Sequence, residues 1–269
     1  MDAGGGGMVD DLLARLDHKV HAINSARPLP PASLQSLRDW LRVETTYTSN
    51  AIEGNTLSRQ ETSVVLEGIT VGGKSLREHF EALDHAEAFD YMYELSAPGT
   101  PFTESDLRSL HRLVLQKSQP HYAGRYRDIQ VWVAGSSHIP PSPVEVPPLV
   151  SDLFADLPKT GADHPVQRAA VFHARLVAIH PFADGNGRTA RLASNLLLLR
   201  DNYLLAIIQP EDRAVYFRAL QDFDDTGDST AIVRIFGGAC ERVADFVLQS
   251  TTLHSRELPR TGKPRPPGI

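Results

Sequence analysis

The segment from Ile179 to Arg191 concentrates side chains that could do chemistry. It reads Ile-His-Pro-Phe-Ala-Asp-Gly-Asn-Gly-Arg-Thr-Ala-Arg. The segment contains a histidine, a carboxylate, two glycines around an amide, and two arginines. Packing requirements alone rarely produce this combination over so short a stretch, so the segment indicates a catalytic site.

Helices on both sides must position these groups. Apolar or small residues recur at helical spacing over 166–179, and Pro165 suits the first turn of that helix. Pro181 ends it. Apolar residues after the segment continue at helical spacing, so a second helix is predicted to begin near Asn186 or Gly187. The segment is therefore expected to form a tight turn that leads into a helix N-terminus.

The start of that second helix suits a polyphosphate. Its unpaired N–H groups and the positive end of the helix dipole favour an anion, and Gly185 and Gly187 leave space for close approach. Arg188 and Arg191 lie on one side of the first turn and can hold further phosphate oxygens. Asp184 is a hard oxygen ligand suited to Mg²⁺ on those phosphates. The implied ligand is a metal-bound nucleotide.

His180 is the candidate general base. Its unperturbed pKa of about 6.5 makes it neutral near physiological pH and able to take a proton from an attacking hydroxyl. Each polar residue of the segment also has an ordinary structural interpretation, since a histidine can cap a helix and Gly-Asn-Gly can be only a turn. A nucleotide-binding site would account for all the polar residues of the segment together.

The residues from His180 to Arg191 resemble the Fic family signature, H-P-F-x-[DE]-G-N-G-R-x-x-R, at every specified position. The resemblance implies a mainly α fold, a Fic-type helical core with a small β-hairpin flap. It implies an adenylyltransferase that moves AMP from ATP to a protein hydroxyl. Mg²⁺, with Mn²⁺ as an alternative, is the implied cofactor. Adenine specificity follows from the resemblance alone.

The same resemblance gives roles to individual residues. His180 would deprotonate a Ser, Thr or Tyr of the target, and Asp184 would hold Mg²⁺ on the α and β phosphates. Arg191 would hold the γ-phosphate. The implied anion hole consists of Gly185, Asn186, Gly187 and Arg188.

A second informative stretch surrounds Ser49 and Glu53. These two residues are four apart on a predicted helix, and Gly54 is a natural C-terminal stop. Taken alone, Glu53 would be a solvated acid at a helix end. The stretch resembles the inhibitory-helix motif of the Fic family, [ST]-x-x-x-E-[GN], which implies that Glu53 pairs with Arg191. A carboxylate there would take the position of a γ-phosphate and restrain the enzyme.

Residues 129–146 differ in pattern from the rest of the chain. Ile129, Val131 and Val133 alternate with Gln130 and Trp132, and several prolines crowd the return. A short hairpin followed by a proline-restricted loop is predicted. Its exposed strand could accept an extended segment of a partner, and the family resemblance implies that this flap docks the protein target.

The remaining helices are expected to be scaffold. Helices are predicted over 9–25, from Pro31 onward, over 211–223 and over 230–249. Capping boxes at Ser58 and Ser75 predict helices over 59–68 and 76–95, and Thr103 is expected to cap a helix that ends near 116. Tyr216 is a candidate wall of the nucleotide-base pocket, with a buried packing tyrosine as the alternative.

Composition limits the classes of function. The 269 residues are 41% hydrophobic and carry a net charge of −6. Net acidity argues against nucleic acid as a partner, and no apolar run approaches the about 18 residues of a membrane span. The N-terminus lacks the features of a signal peptide, so a cytoplasmic location is expected.

The expected organisation is an N-terminal tail and helix over 1–30, an inhibitory-helix region over 31–58, a Fic catalytic domain over 59–250 and a disordered tail over 251–269. The expected partners are ATP and a protein hydroxyl, with self-modification and a homodimer left open. AMP removal, phosphotransfer and a non-catalytic nucleotide sensor are the alternatives. Intact Gly185 and Gly187 favour AMP transfer, and the complete His180 and Asp184 argue against a sensor.

Overall fold

The regular structure of the described residues is helical. The computed structural model describes residues 4–25, 30–99, 101–133, 138–160 and 163–257. The ten α-helices of these ranges are α1 (Gly4–Ser25), α2 (Pro31–Ile52), α3 (Arg59–Leu66), α4 (Leu76–Leu95), α5 (Glu104–Leu115), α6 (Val146–Asp156), α7 (Pro165–Ile179), α8 (Asn186–Arg200), α9 (Arg213–Thr226) and α10 (Thr230–Glu257).

Helices α7 and α8 form the centre of the fold. They pack against each other, and α8 also contacts α2, α4 and α5. Nearly every residue of α8 is buried, including the run Leu196–Leu198. Because α8 is covered on nearly all sides, its polar residues are buried together with its leucines, and polar side chains such as Arg188 and Asn195 lie inside the fold. The turn between α7 and α8 is thereby held inside the protein.

Helix α1 covers the C-terminal helix. It packs along α10, and α10 packs in turn against α7. The contact is close at Gly237, where a Cβ would come within 3.0 Å of Leu12 Cδ2. Helix α1 begins at Gly4, ahead of the residue 9 that periodicity predicted. This face of the fold has an apolar interior with the fully buried Leu16 at its centre.

The predicted helix starts are confirmed where side chains cap them. Ser58 and Ser75 both form complete capping boxes, with Glu61 and Glu78 respectively. Thr103 caps α5 in the same way through Asp106. Each cap satisfies backbone N–H groups that have no partner within the helix, so the boundary follows from neighbouring residues alone.

The predicted β-hairpin flap is wrong for the part of residues 129–146 that the structure describes, because Ile129, Val131 and Val133 form no strand. Residues 134–137, at the predicted turn, lie outside the described ranges. Prolines in the return segment cannot donate to a ladder. The two arms of the flap, residues 129–133 and 138–146, are connected by side chains instead. Gln130 Nε2 on the first arm donates to the Pro140 carbonyl on the second at 2.9 Å.

The C-terminal helix extends into the predicted tail. Helix α10 continues to Glu257, and residues 258–269 lie outside the described part of the chain. Within the described ranges, the helices lack the combination of length and apolar composition needed to cross a membrane.

Candidate active site

The turn between α7 and α8 has a defined shape. His180 follows the last residue of α7 in the left-handed conformation, with φ of 49°, and Gly185 has φ of 75° just before α8. The Asn186 side chain closes the turn, since its Oδ1 accepts from the Phe182 N–H at 2.9 Å and its Nδ2 donates to the Phe182 carbonyl at 2.8 Å. This pairing leaves the backbone of Asn186, rather than its amide group, to face an anion.

His111 of α5 packs against this turn and is hydrogen-bonded to its backbone. Its ring stacks on Phe182 with centroids 3.6 Å apart, and its Nδ1 accepts from the Gly124 N–H at 3.0 Å. Nε2 must then carry the proton and donate to the Asp184 carbonyl, 2.9 Å away. Burial lowers the pKa of His111 to about 4, which keeps it neutral. Residue patterns did not identify His111, because a single histidine on the buried face of a helix carries no distinctive spacing.

His180 is held in the tautomer that a general base needs. Its Nδ1 lies 3.2 Å from the Val177 carbonyl oxygen and therefore donates to it. Nε2 is left to accept a proton. Burial lowers the pKa of the His180 imidazole, and the nearby charge of Arg127 acts in the same direction. A neutral, half-buried imidazole with one nitrogen available is what proton abstraction requires.

The N-terminus of α8, where an anion cradle is predicted, is lined by buried arginines. Arg188 and Arg191 are only 3% and 4% exposed, so both guanidinium groups lie within the fold. Arg188 pairs with Asp184 at 3.2 Å and approaches Glu81 at 3.9 Å. Gly185 is backed by Leu115 and His111, where a Cβ would come within 3.4 Å of the imidazole Nε2. A glycine is thus required there both by φ and by the space available.

The end of α2 occupies the mouth of this cradle. Glu53 Oε1 lies 2.7 Å from Arg191 Nη2, and Ser49 accepts from the same guanidinium through its Oγ and its carbonyl, both at 2.9 Å. A Cβ added to Gly187 would overlap Glu53 Oε1. The carboxylate therefore rests directly against the first turn of α8. The structure brings Ser49, Glu53 and Arg191 together, although 138 positions separate the last two.

Helix α2 ends where the sequence predicted. Its last residue is Ile52, and Gly54 has φ of 98°. Arg213 of α9 donates to the Ile52 carbonyl at 2.7 Å, and Asn50 donates to the Glu81 carbonyl of α4 at 3.3 Å. Two other helices thus fix the direction in which Glu53 points.

Tyr216 lies behind Arg191. It is 1% exposed, and its hydroxyl is 2.7 Å from His173 Nε2. The Arg191 guanidinium lies near this hydroxyl and interacts with it electrostatically. Burial raises the pKa of Tyr216, so the phenol stays protonated and donates to the neutral histidine. As a wall of the base pocket Tyr216 stays a prediction. Its hydrogen bond in the structure is to His173.

Asp184 has the charge and position of a magnesium ligand. Burial alone would raise its pKa, but the charge of Arg188, the Gln119 amide and the Gly185 N–H hold the pKa below its ordinary value. The carboxylate is half-buried and ionised at the mouth of the cradle. One such carboxylate together with substrate phosphates is a typical donor set for Mg²⁺. The residues present therefore fit the implied ion.

The flap residues carry exposed apolar groups and are linked through Arg127 to the turn between α7 and α8. Trp132 is 76% exposed, Ile129 is 55% exposed and Ile139 is 71% exposed. Gln130 is turned inward toward Pro140. Arg127, just before the flap, donates to the His180 carbonyl at 2.8 Å. Sequence patterns missed Arg127, because its partners are backbone carbonyls that any residue supplies.

The site and fold agree with comparisons to known proteins. The sequence profile of the Fic/DOC family matches residues 101–198. The solved Fic-1 chain from C. elegans is 30% identical with a TM-score of 0.83, and the match covers 93% of this chain and 74% of that one. This chain belongs to the Fic family. A Fic-domain-containing signalling protein from Bacteroides thetaiotaomicron is similar as well, with a TM-score of 0.81, 28% identity, and 90% and 97% of the two chains covered.

Curated relatives with this Fic domain carry the name "Protein adenylyltransferase Fic". The relative from Culex quinquefasciatus is 38% identical over 249 residues, which is 91% of this chain and 49% of the relative. The relative from Nematostella vectensis is 39% identical over 219 residues, or 80% of this chain and 51% of the relative. This chain thus spans about half the length of the curated relatives it matches.

Proposed function

We propose that this Fic protein transfers AMP from Mg-ATP to a Ser, Thr or Tyr hydroxyl of a target protein. The observation that supports the proposal is the tautomer of His180, whose Nδ1 donates to the Val177 carbonyl, in the turn that leads into the N-terminus of α8. A binding site alone needs no base of fixed tautomer. The names of the curated relatives agree with this activity.

The chain's own residues account for the transfer. His180 Nε2 takes the proton of the attacking hydroxyl, whose oxygen forms a bond to the α-phosphorus while the bond to the pyrophosphate oxygen breaks. The N–H groups at the start of α8 and the Arg188 guanidinium stabilise the charge that develops on the phosphate oxygens. Arg191 orients the γ-phosphate. Asp184 would hold Mg²⁺, which supplies neutralisation of the phosphate charge when bound.

Restraint by Glu53 is the second part of the proposal. Its carboxylate pairs with the arginine that the γ-phosphate needs and rests on Gly187. ATP that binds while this pair persists must place its phosphates elsewhere, out of line for attack. When Glu53 moves away, both the Arg191 guanidinium and the space next to Gly187 in the first turn of α8 become free for the phosphates.

The test uses Mg²⁺ and ATP labelled at the α or the γ position, with wild type and Glu53→Gly, each alone and with cell lysate. We expect protein-bound label from the α position only, stronger in Glu53→Gly by about tenfold or more because Arg191 is freed. Glu53→Gln, which keeps the side-chain volume and removes the charge, should behave similarly. A rate unchanged in both variants would remove the restraint from the proposal.

His180→Ala in the Glu53→Gly background isolates the base. Transfer should fall by roughly 10²- to 10⁴-fold, the usual contribution of a general base, while ATP binding persists. His121→Ala is the matched control, since His121 is an exposed histidine of the α5–flap connection. Label from γ alone would instead indicate phosphotransfer. ATP binding without label would favour a sensor, and loss of label from a modified target would reveal AMP removal.

A further inference from the structure

A buried arginine outside the Fic signature contacts both the catalytic turn and the flap. Arg127 is 4% exposed. Its Nε donates to the His180 carbonyl at 2.8 Å, and its Nη1 donates to the Ile129 carbonyl at 3.1 Å. Its Nη2 donates to the Pro141 carbonyl. The Arg127 N–H also donates to the Pro181 carbonyl at 3.0 Å. One residue therefore binds four backbone carbonyls from three segments.

The charge of Arg127 has no compensating carboxylate among its contacts in the described part of the chain. Burial is the cause that lowers the pKa of this guanidinium. A buried cation without a counter-ion is costly, and a residue needed only to fill space could be apolar at lower cost. What an apolar residue cannot supply is a planar group with several N–H donors in fixed directions. The contacts of Arg127 use that property.

The three side-chain contacts of Arg127 join different parts of the site. The His180 carbonyl belongs to the left-handed residue that ends α7, so holding this carbonyl also holds the imidazole. Ile129 and Pro141 lie on opposite arms of the flap. Because the described arms form no β-ladder, side-chain donors such as Arg127 and Gln130 supply the pairing between them.

We propose that Arg127 is a positioning residue that sets the distance between the flap and the catalytic His180. A target segment that docks on the flap then presents its hydroxyl at a fixed separation from His180 Nε2. The catalytic part of this role rests on the proposed AMP transfer. The coupling between flap and turn is a property of the structure that can be measured separately.

The first experiment measures amide hydrogen exchange in wild type, Arg127→Met, Arg127→Lys and Arg125→Met. Arg127→Met keeps much of the side-chain length without donors, and Arg127→Lys keeps the charge without the planar group. Arg125 is an exposed arginine two positions away and is the matched control. Exchange over 128–133, 138–142 and 178–184 should quicken by about tenfold in Arg127→Met, less in Arg127→Lys, and not in Arg125→Met.

Two results would overturn the positioning role at this stage. One is unchanged exchange of both segments in Arg127→Met. The other is an equal increase in every helix, including α1, which packs on α10, because this would mean that Arg127 only contributes global stability. Urea unfolding of each variant separates local loosening from loss of the fold.

The second experiment combines the same substitutions with Glu53→Gly and measures AMP transfer and ATP affinity. Arg127→Met should lower transfer by about 10²-fold, the scale expected when a reacting group moves by about 1 Å, with ATP affinity unchanged. Retained transfer would contradict positioning, and an equal loss of ATP affinity would make Arg127 part of the nucleotide site. Should Glu53→Gly itself transfer no AMP, the proposed function fails, while hydrogen exchange still decides whether Arg127 joins flap and turn.

Discussion

At the scale of single residues, the histidines show how environment assigns chemistry. His180 and His111 each bond a backbone group through Nδ1, but His180 donates to a carbonyl whereas His111 accepts from an N–H. The result is opposite tautomers. His180 keeps a basic Nε2 at the cradle, and His111 keeps an Nε2–H that holds the turn. The residue type is the same in both cases, and the neighbouring backbone decides its role.

The hydroxyl of Tyr216 provides a residue-scale prediction. Tyr216→Phe removes the hydroxyl that bonds His173 and lies near Arg191, while leaving the ring packed. Arg191 should then be less well oriented toward a γ-phosphate, so the KM for ATP in the Glu53→Gly background should rise several-fold with a stability loss of about 1 kcal/mol. Steady-state kinetics and urea unfolding measure the two effects.

Tyr122→Phe is the control for that substitution, since Tyr122 is 45% exposed. It should change neither quantity. An unaltered KM in Tyr216→Phe would show that Ser49 alone is sufficient to orient Arg191. The contacts of Arg191 with Ser49 Oγ and the Ser49 carbonyl would then be the ones that matter.

At the scale of elements, the candidate site is formed by the ends of three helices. Helix α7 ends at Ile179, α8 begins at Asn186 and α2 ends at Ile52, all around one cradle. Helix ends carry the backbone groups that have no partner within a helix, and these groups can bind a ligand or a cap. Here α8 offers its N–H groups to an anion, and the α2 end delivers Glu53 to the same place.

Asn186→Ala tests whether the two hydrogen bonds between the Asn186 side chain and the Phe182 backbone are needed for function. The substitution leaves the Phe182 N–H and carbonyl unpaired in a buried site, so the free energy of unfolding should fall by roughly 2 to 4 kcal/mol. Transfer should be lost as well, because the left-handed His180 and Gly185 are no longer held. Chemical denaturation and the labelled-ATP assay measure both.

Asn195→Ala is the matched control for Asn186→Ala. Asn195 is 2% exposed and pairs in the same way with the backbone of Ala206, away from the cradle. It should cost similar stability and leave transfer intact under conditions where the variant is folded. Equal loss of transfer in both variants would mean that stability alone explains the effect of Asn186→Ala.

At the scale of the whole molecule, buried histidines make the fold sensitive to acid. His85 and His173 are fully buried, and burial lowers the pKa of each to about 3, with Arg191 acting in the same direction. Between pH values of about 3 and 6.5 the unfolded chain binds these protons and the folded chain does not. Stability should therefore fall as pH drops below about 6.5, by up to about 1.4 kcal/mol per pH unit for each histidine.

Urea unfolding at pH 7.0 and at about pH 5.5 measures this dependence. His85→Gln should reduce the loss of stability between the two pH values, because one proton fewer is taken up on unfolding. His21→Gln is the control, since His21 is exposed on α1. The same pH dependence in His85→Gln and wild type would exclude His85 as a source of acid sensitivity.

Local sequence determined the features that depend on near neighbours. The capping residues Ser58, Ser75 and Thr103 act within three positions, so the starts of their helices were predictable to the residue. Gly54 and Pro181 likewise marked helix ends. The catalytic segment was recognisable because its histidine, carboxylate, glycines and arginines are contiguous.

The tertiary structure alone decided what depends on segments far apart in the chain. The flap failed to form the predicted strands because Arg127 and Gln130 bind the carbonyls that a ladder would use. The family resemblance implied that Glu53 pairs with Arg191, but the contact itself exists because α2 packs against α8. No sequence pattern placed His111 against the turn between α7 and α8, and that contact depends on the packing of α5 on α8. Periodicity and caps report interactions over a few residues, whereas these contacts depend on how whole helices are arranged around α8.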